Sequence, residues 1–479
     1  MTDKVAKMKA VYDILMKLRA TQGTNAKREL LEANSTNAEL KLFLYHVYEP
    51  TISYYQTKIM PATMSAMMDL TEYELTYDLL DEIIENLAER IKTGHDAMFY
   101  LGEIYAGMKE QWMRDMLTIL IERDIKAGIK YKNVNKVWPK LITAVPYMRC
   151  TLPKNVDLNK WPWEQGIDSE IKYDGMYANI HIYQTEHCDY ITSRKGSVFM
   201  NAPFVMITEE LRKVTETLRQ KYPQFANEKY FVFNGELEML DKNGALMPRA
   251  EGNGKFNSML SSGEIPHGYT AQYKVWDFQP GSKFEAGQFD MQRRSRKVAL
   301  SVSFVHESRY AILGQTEVVY SYEGAVKAFK RARALGLEGT IVKHPEGIWK
   351  DGTSDHQVKM KAEVEIDLEL VSFNVGSGRN EDTFGSIRYK SSCGQLEVDV
   401  NGRTDDMREW FNANRDNLPG TIHTVVSNEL TKPKKKGEKY SLFLPRYIEA
   451  RLDKTEANSL KEVLDIFANA MKDEDDKED

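Results

Sequence analysis

The stretch EIKYDGMYANIHIY, Glu170 to Tyr183, decides how the chain is read. Apolar and polar residues alternate on both sides of Asp174-Gly175, a dipeptide that favours tight turns, so the stretch reads as a β-hairpin. Side chains in a strand point to opposite faces with period two. Glu170, Lys172 and Asp174 then share one face, and Ile171 and Tyr173 share the other. A solvated face over a buried one explains this pattern. So does a lysine nucleophile flanked by two carboxylates, and the rest of the chain must decide between them.

Outward from this stretch the pattern changes twice. Residues 1–142 carry apolar residues at three- and four-residue spacing, the mark of amphipathic helices, with Asn37 an expected N-cap and Gly128 an expected helix stop. Residues 143–365 mix strand-like runs (YFVFNGELEML, AQYKVWDF, LEGTIVKH) with helix-like ones. From residue 366 short strands and turns prevail, closing on a helix at SLKEVLDIFANAM. The run VKMKAEVEIDLEL, from Val358, alternates throughout and reads as one half-buried strand at the second boundary. The expected architecture is an all-α domain (1–142), an α+β domain (143–365) and a small β-barrel (366–479).

Composition narrows the class. At 479 residues the chain is too long for one core, and no apolar run approaches a membrane span. Three scattered cysteines, Cys150, Cys188 and Cys393, offer neither a disulfide framework nor a zinc knuckle and suit a reducing, cytoplasmic setting. The net charge of −6 looks unfavourable for nucleic acid, but the last eight residues, KDEDDKED, hold six acids and two lysines, and so −4 of it. The remaining body is nearly neutral, with room for local basic surfaces.

Six motifs stand in one order after the helical front: KYDG at Lys172, SRKG at Ser193, FNGELEM at Phe233, YKVWDF at Tyr273, LEGTIVK at Leu337 and VKMK at Val358, with FLPRYIEARLDK near the end. The ordered set resembles the covalent nucleotidyltransferases, polynucleotide ligases and messenger-RNA capping enzymes. With the helical front running into NKVWPKLI at Asn135, it is similar to the ATP-dependent DNA ligases of the T-even bacteriophage type. That resemblance implies a nucleotidyltransferase domain followed by an OB-fold, ATP as co-substrate, Mg²⁺, nicked duplex DNA as partner, and a monomer.

The chemistry calls for these residue types. A free lysine amine is neutral in only about one molecule in a thousand near neutral pH, and nearby cations raise that fraction. The resemblance makes Lys172 the nucleophile that takes up AMP, with Lys359 and Lys361 as the neighbouring cations. It places Glu170 by the adenine, Trp276 as the stacking platform, and Arg194 on nucleotide or nick phosphate. Glu236 and Glu338 would contact ribose or metal, Asp174 the metal and the nick, and Arg451 and Lys454 the departing pyrophosphate. Arg123, Lys126, Lys130, Lys132 and Lys136 are expected to contact DNA phosphates. Lys343 is left out, because regular alternation puts it on the opposite face from Glu338, five residues earlier.

Three positions depart from the family pattern. Tyr177 stands where the K-x-D-G-x-R arginine is expected, Asn234 where aspartate commonly precedes Gly-Glu, and Thr353 where related ligases often have arginine. Replacing Tyr177 with arginine is accordingly expected to leave ATP affinity unchanged or to raise it. Two other readings stay open on sequence alone: a capping-type guanylyltransferase, which the helical front does not suit, and a non-catalytic nick-binding protein.

Overall fold

The computed structural model describes residues 3–469 apart from 58, 60–70, 186–187, 200–201, 263–264, 305–307, 362–363, 377–379, 402–403, 428, 434 and 436. Side chains at 154, 202, 249–250, 260–262, 361, 405, 429 and 468–469 are also outside the description. The acidic tail at 472–479 lies outside the described residues.

Helices Asp3–Ala20, Thr24–Ala33, Ala38–Tyr48, Tyr77–Ala88, Gly94–Gly107, Gln111–Glu122 and Tyr131–Val137 make up the front of the chain. They close on one core, to which the first helix gives Val5, Met8, Val11, Leu15 and Leu18, a single helical face. Asn37 caps as expected, accepting from the Leu40 amide at 2.8 Å. Gly128 is not the helix stop. The helix ends at Glu122, with Arg123 in the left-handed conformation at φ 55°. The Arg123 guanidinium donates to the carbonyls of Glu49 and Ile52, which holds the early stop in place.

Two sheets follow. The first runs β1 (Met148–Thr151), β13 (Gly352–Lys361), β11 (Gly339–Lys343), β2 (Ile167–Ile171), β10 (Thr316–Val319). The second runs β5 (Val198–Phe199), β4 (Tyr190–Ser193), β3 (Met176–Tyr183), β6 (Tyr230–Leu240), β7 (Thr270–Pro280), β9 (Ala311–Leu313). β8 (Gln288–Phe289) and β12 (Trp349–Lys350) form a short ribbon. Helices Val205–Lys221 and Arg293–Ser303 pack on the second sheet.

The hairpin reading of the opening stretch is overturned. β2 pairs with β10 and β11, whereas β3 pairs with β4 and β6, so Lys172 to Gly175 crosses from one sheet to the other. The Lys172 amide donates to the Gly339 carbonyl at 2.9 Å and the Gly175 amide to Glu236 Oε1 at 3.2 Å. Tertiary pairing thus takes up the backbone groups a hairpin ladder would use. Gly175 is needed for contact: a Cβ there would lie 2.2 Å from the Leu237 carbonyl oxygen.

The run from Val358 is likewise shared between sheets. β13 ends at Lys361, and β14 (Val364–Val375) opens a third sheet with β15 (Phe384–Lys390), β16 (Glu397–Val400), β17 (Ile422–Ser427) and β20 (Arg446–Ala450), in the order β16-β15-β14-β17-β20. Val364, Ile366, Leu368 and Leu370 fill its core, as their alternation requires. β18 (Glu429–Thr431) and β19 (Ser441–Phe443) form a second ribbon. The sheet is not a closed barrel; an isolated parallel bridge pairs Asn401, just after β16, with Arg446. No helix among the described residues is long and apolar enough to cross a membrane.

Candidate active site

A cavity of about 780 Å³ opens where the two central sheets meet. Its lining includes Glu170, Lys172, Asp174, Arg194, Glu236, Trp276, Glu338 and Lys359, which are separated by as much as 189 positions in sequence. The sheet crossing delivers Lys172, β6 delivers Glu236, β7 delivers Trp276, and β11 with β13 delivers Lys359, paired in register with Ile341. Trp276 is half-buried and faces this space.

Lys172 and Glu338 form an ion pair, each side chain about one-fifth exposed (21% and 20%), so the amine is reachable from the cavity. Glu236 is only 9% exposed. Burial pushes its carboxyl up to about 8, against the opposing pull of Lys172 and Arg194. Glu170 goes the other way. Burial would raise it, but Lys343 and Arg293 both pair with it and hold it below the usual carboxylate range.

Lys343 therefore stands at the site, contrary to the alternation argument. β11 begins only at Gly339, whose φ of 144° breaks the count from Glu338. Within the strand, Ile341 and Lys343 share a face, and both line the cavity. Counting from the glycine instead of from the glutamate would have found it. Arg293, on a helix 123 residues from Glu170, carried no local signal. Arg149 was also missed. It lines the cavity and donates to Thr353 Oγ1 at 3.4 Å, so a cation stands beside the position where arginine was expected.

The remaining expected residues divide. Lys132 and Lys136 line the cavity from the helical front. Lys126 and Lys130 are exposed and pair with Glu122 and Asp124, each at 2.7 Å. Arg123 is half-buried, and its guanidinium donates inside the helical unit to the Ile52 and Glu49 carbonyls. Arg451 and Lys454 do not line the cavity. Both pair with Asp367, and Arg451 also with Asp453. From the same sheet region, Phe443 and Leu444 do reach it. The Lys361 side chain lies outside the described residues.

Tyr177 and Asn234 meet at one buried amide. The Tyr177 hydroxyl donates to Asn179 Oδ1 at 2.6 Å, and Asn234 Nδ2 donates to the same oxygen at 2.9 Å. Both departures from the family pattern thus belong to one neutral network. An arginine at 177 would lose that bond and bring a second guanidinium to Arg194, which already lies 5.4 Å from the Tyr177 ring centre. Tyr177→Arg would therefore cost a buried hydrogen bond and crowd two guanidinium groups, which weighs against the expectation that ATP affinity is unchanged or raised.

Among the described residues no three acidic, histidine or cysteine side chains gather as a ready-made metal cage, so Asp174, Glu236 and Glu338 do not form one. Mg²⁺ does not require a cage, since it commonly takes one or two carboxylates together with substrate phosphates. Glu236 and Glu338 suit that mode. Glu338 adds to the cost of charge on Glu236, and a bound cation would relieve it.

Comparison with known proteins agrees with this chemistry. Residues 156–361 match the ATP dependent DNA ligase domain family. The DNA ligases of Enterobacteria phages T6 and T4 are 28% and 27% identical, each over 95% of this chain and 99% of their own length. The solved structure Pmar-Lig_PreS3 has the same fold, with a TM-score of 0.65 at 19% identity, covering 92% of this chain and 99% of its own. A DNA ligase of Thermococcus fumicolans is 24% identical over 62% of this chain and 54% of its own length. Residues 156–361 thus carry the domain of the ATP-dependent DNA ligases, and the chain as a whole is similar over nearly all its length to the T-even bacteriophage DNA ligases.

Proposed function

We propose that Lys172 is the residue through which this ligase carries AMP to a nick. In the first step Lys172 Nζ attacks the α-phosphorus of ATP. The N–P bond forms, the bond to pyrophosphate breaks, and the amine gives up its proton. A 5′-phosphate oxygen at the nick then displaces the lysine from AMP, and the neighbouring 3′-hydroxyl displaces AMP to close the backbone. The observation that carries the reading is the cavity itself, which gathers Lys172 with cations and carboxylates from both sheets.

Roles follow from position. Lys359 and Lys343 supply positive potential where charge builds on the transferring phosphate. Glu338 pairs with the resting amine and must be drawn to another partner before attack; a ribose hydroxyl or a cation would take it. A divalent cation held by Glu236 and Glu338 would supply Lewis-acid polarisation of the phosphates. Glu170, fixed by Lys343 and Arg293, and Trp276 form the expected base pocket. Asp174, on the crossing beside Lys172, is assigned to the nick. Lys132 and Lys136 extend the basic lining toward the DNA backbone, with Lys126 and Lys130 further along the surface.

The third sheet fits an OB-fold. Its strand order and the bridge between Asn401 and Arg446 support that reading, as does a helix, Asp405–Ala413, between its third and fourth strands. The chain is taken to act as a monomer; its division into helical, nucleotidyltransferase and OB-fold units is supported by separate cores, one at 5–142, two within 158–360 and one at 364–467. Because Arg451 and Lys454 lie off the cavity, their role in expelling pyrophosphate requires this unit to swing in for the first step and away for sealing. Incubation with radiolabelled ATP or GTP tests the nucleotide. Covalent label from ATP alone, discharged by nicked DNA with sealing, is expected. Label from GTP alone would favour the capping reading, and no label would favour the nick-binding one.

A further inference from the structure

Tyr177 occupies a place where the ligase motif carries a cation, and its ring instead packs against Arg194 of the SRKG motif. Arg194, at the turn after β4, has its guanidinium carbon 4.9 Å from the Tyr147 ring centre and 5.4 Å from that of Tyr177. The two rings meet edge to face, 4.9 Å apart at 77°, and make a corner around the guanidinium. The Tyr177 ring centre also lies 5.9 Å from that of Trp276. Its hydroxyl is tied to Asn179, so the ring cannot easily turn away.

The corner is anchored to the helical front. Tyr147 lies just beyond Thr143, whose amide donates to the buried Glu49 carboxylate at 2.8 Å. Gly196, two residues past Arg194, packs so closely that an added Cβ would sit 2.9 Å from both Pro50 and Val145. An exposed arginine samples many rotamers, and two fixed faces reduce that freedom before a ligand arrives.

We propose that Tyr147 and Tyr177 are positioning residues that hold the guanidinium of Arg194, the SRKG arginine, at the cavity for a phosphate group. The inference rests on the reading of the Lys172 cavity as the site of AMP transfer. The phosphate belongs either to the bound nucleotide or to the nick, and two reactions separate these sources: labelling of the full-length protein by ATP, and sealing of a nick already carrying 5′-AMP.

Tyr147→Leu removes a ring and leaves Arg194 intact. It is expected to slow one of the two reactions by about fivefold, the scale of a surface cation–π contact. Tyr147→Phe keeps the ring and should restore the rate to within about twofold. Arg194→Lys keeps the charge but loses the planar face, and should slow the same reaction. The double variant Tyr147→Leu/Arg194→Lys should then be no slower than the slower single one, because both changes break one contact. Loss confined to ATP labelling assigns Arg194 to nucleotide phosphate, and loss confined to sealing assigns it to the nick. Multiplying effects in the double variant, wild-type rates in Tyr147→Leu, or failure of Tyr147→Phe to restore activity would overturn the proposal. Failure of the wild-type protein to label with ATP would instead overturn the underlying assignment of the site.

Discussion

Glu236 sits opposite Tyr177 in the β3–β6 register, and its burial has a measurable consequence for folding. Its carboxyl is pushed from the ordinary 4.5 up to about 8, chiefly by burial. The folded state therefore keeps a proton that the unfolded chain releases. A group shifted this way contributes its stability at low pH and loses it as pH rises through the folded value. Between pH 5.5 and 8 the loss is about 1.4 kcal/mol per pH unit, or roughly 3 kcal/mol in all. Glu236→Gln keeps the shape and an oxygen to accept from the Gly175 amide, but it has no proton to lose. In metal-free buffer with a chelator, the melting temperature of the Gln variant should rise relative to wild type between pH 5.5 and 8. The change should be on the order of 5–10 °C. The variant should also lose covalent labelling by ATP. A gap that stays constant with pH, or a Gln variant less stable than wild type at pH 8, would refute the reasoning.

Three further outcomes follow from the same geometry. Arg293→Met leaves the buried Glu170 with only Lys343 and should destabilise the protein by about 3–5 kcal/mol in chemical denaturation; a loss below about 1 kcal/mol would mean that the pair is not buried as described. Tyr177→Arg should lower both melting temperature and ATP labelling, since it breaks the Asn179 bond and sets two guanidinium groups together; improved ATP affinity would reverse that conclusion. Arg451→Ala and Lys454→Ala should impair labelling by ATP yet seal a pre-adenylylated nick at close to the wild-type rate, whereas equal damage to both reactions would point to misfolding or general DNA binding.

The class of the protein was legible because its chemistry is written in several short motifs whose order survives whatever the fold does between them. The same motifs pointed to Lys172, Glu236, Trp276, Glu338 and Lys359, and the fold brings all five to one cavity. Local geometry was less legible. Asp174-Gly175 between alternating runs looks the same whether the chain turns back or crosses to a second sheet, and only long-range pairing with Gly339 and Glu236 separates the two. Lys343 was lost because a count of alternating positions was carried through Gly339, where the backbone departs from the strand. Arg293 and Arg149 acquire roles only through neighbours brought by the fold. The early helix stop at Arg123 depends on carbonyls about 70 residues away (sequence separations of 71 and 74), which no helix signal near Gly128 records. Tyr177 was visible as a departure, but its purpose was not, since its partners Tyr147, Asn179 and Trp276 come from three different segments.

The central claim is that Lys172 forms the covalent bond to AMP. Its most direct test is to incubate the purified protein with α-labelled ATP and a divalent cation, digest it, and identify the labelled peptide by mass spectrometry, with Lys172→Ala treated in parallel. The account predicts AMP on Lys172 alone and no label on a folded Lys172→Ala protein. Label on another lysine, or undiminished label on the variant, would contradict it.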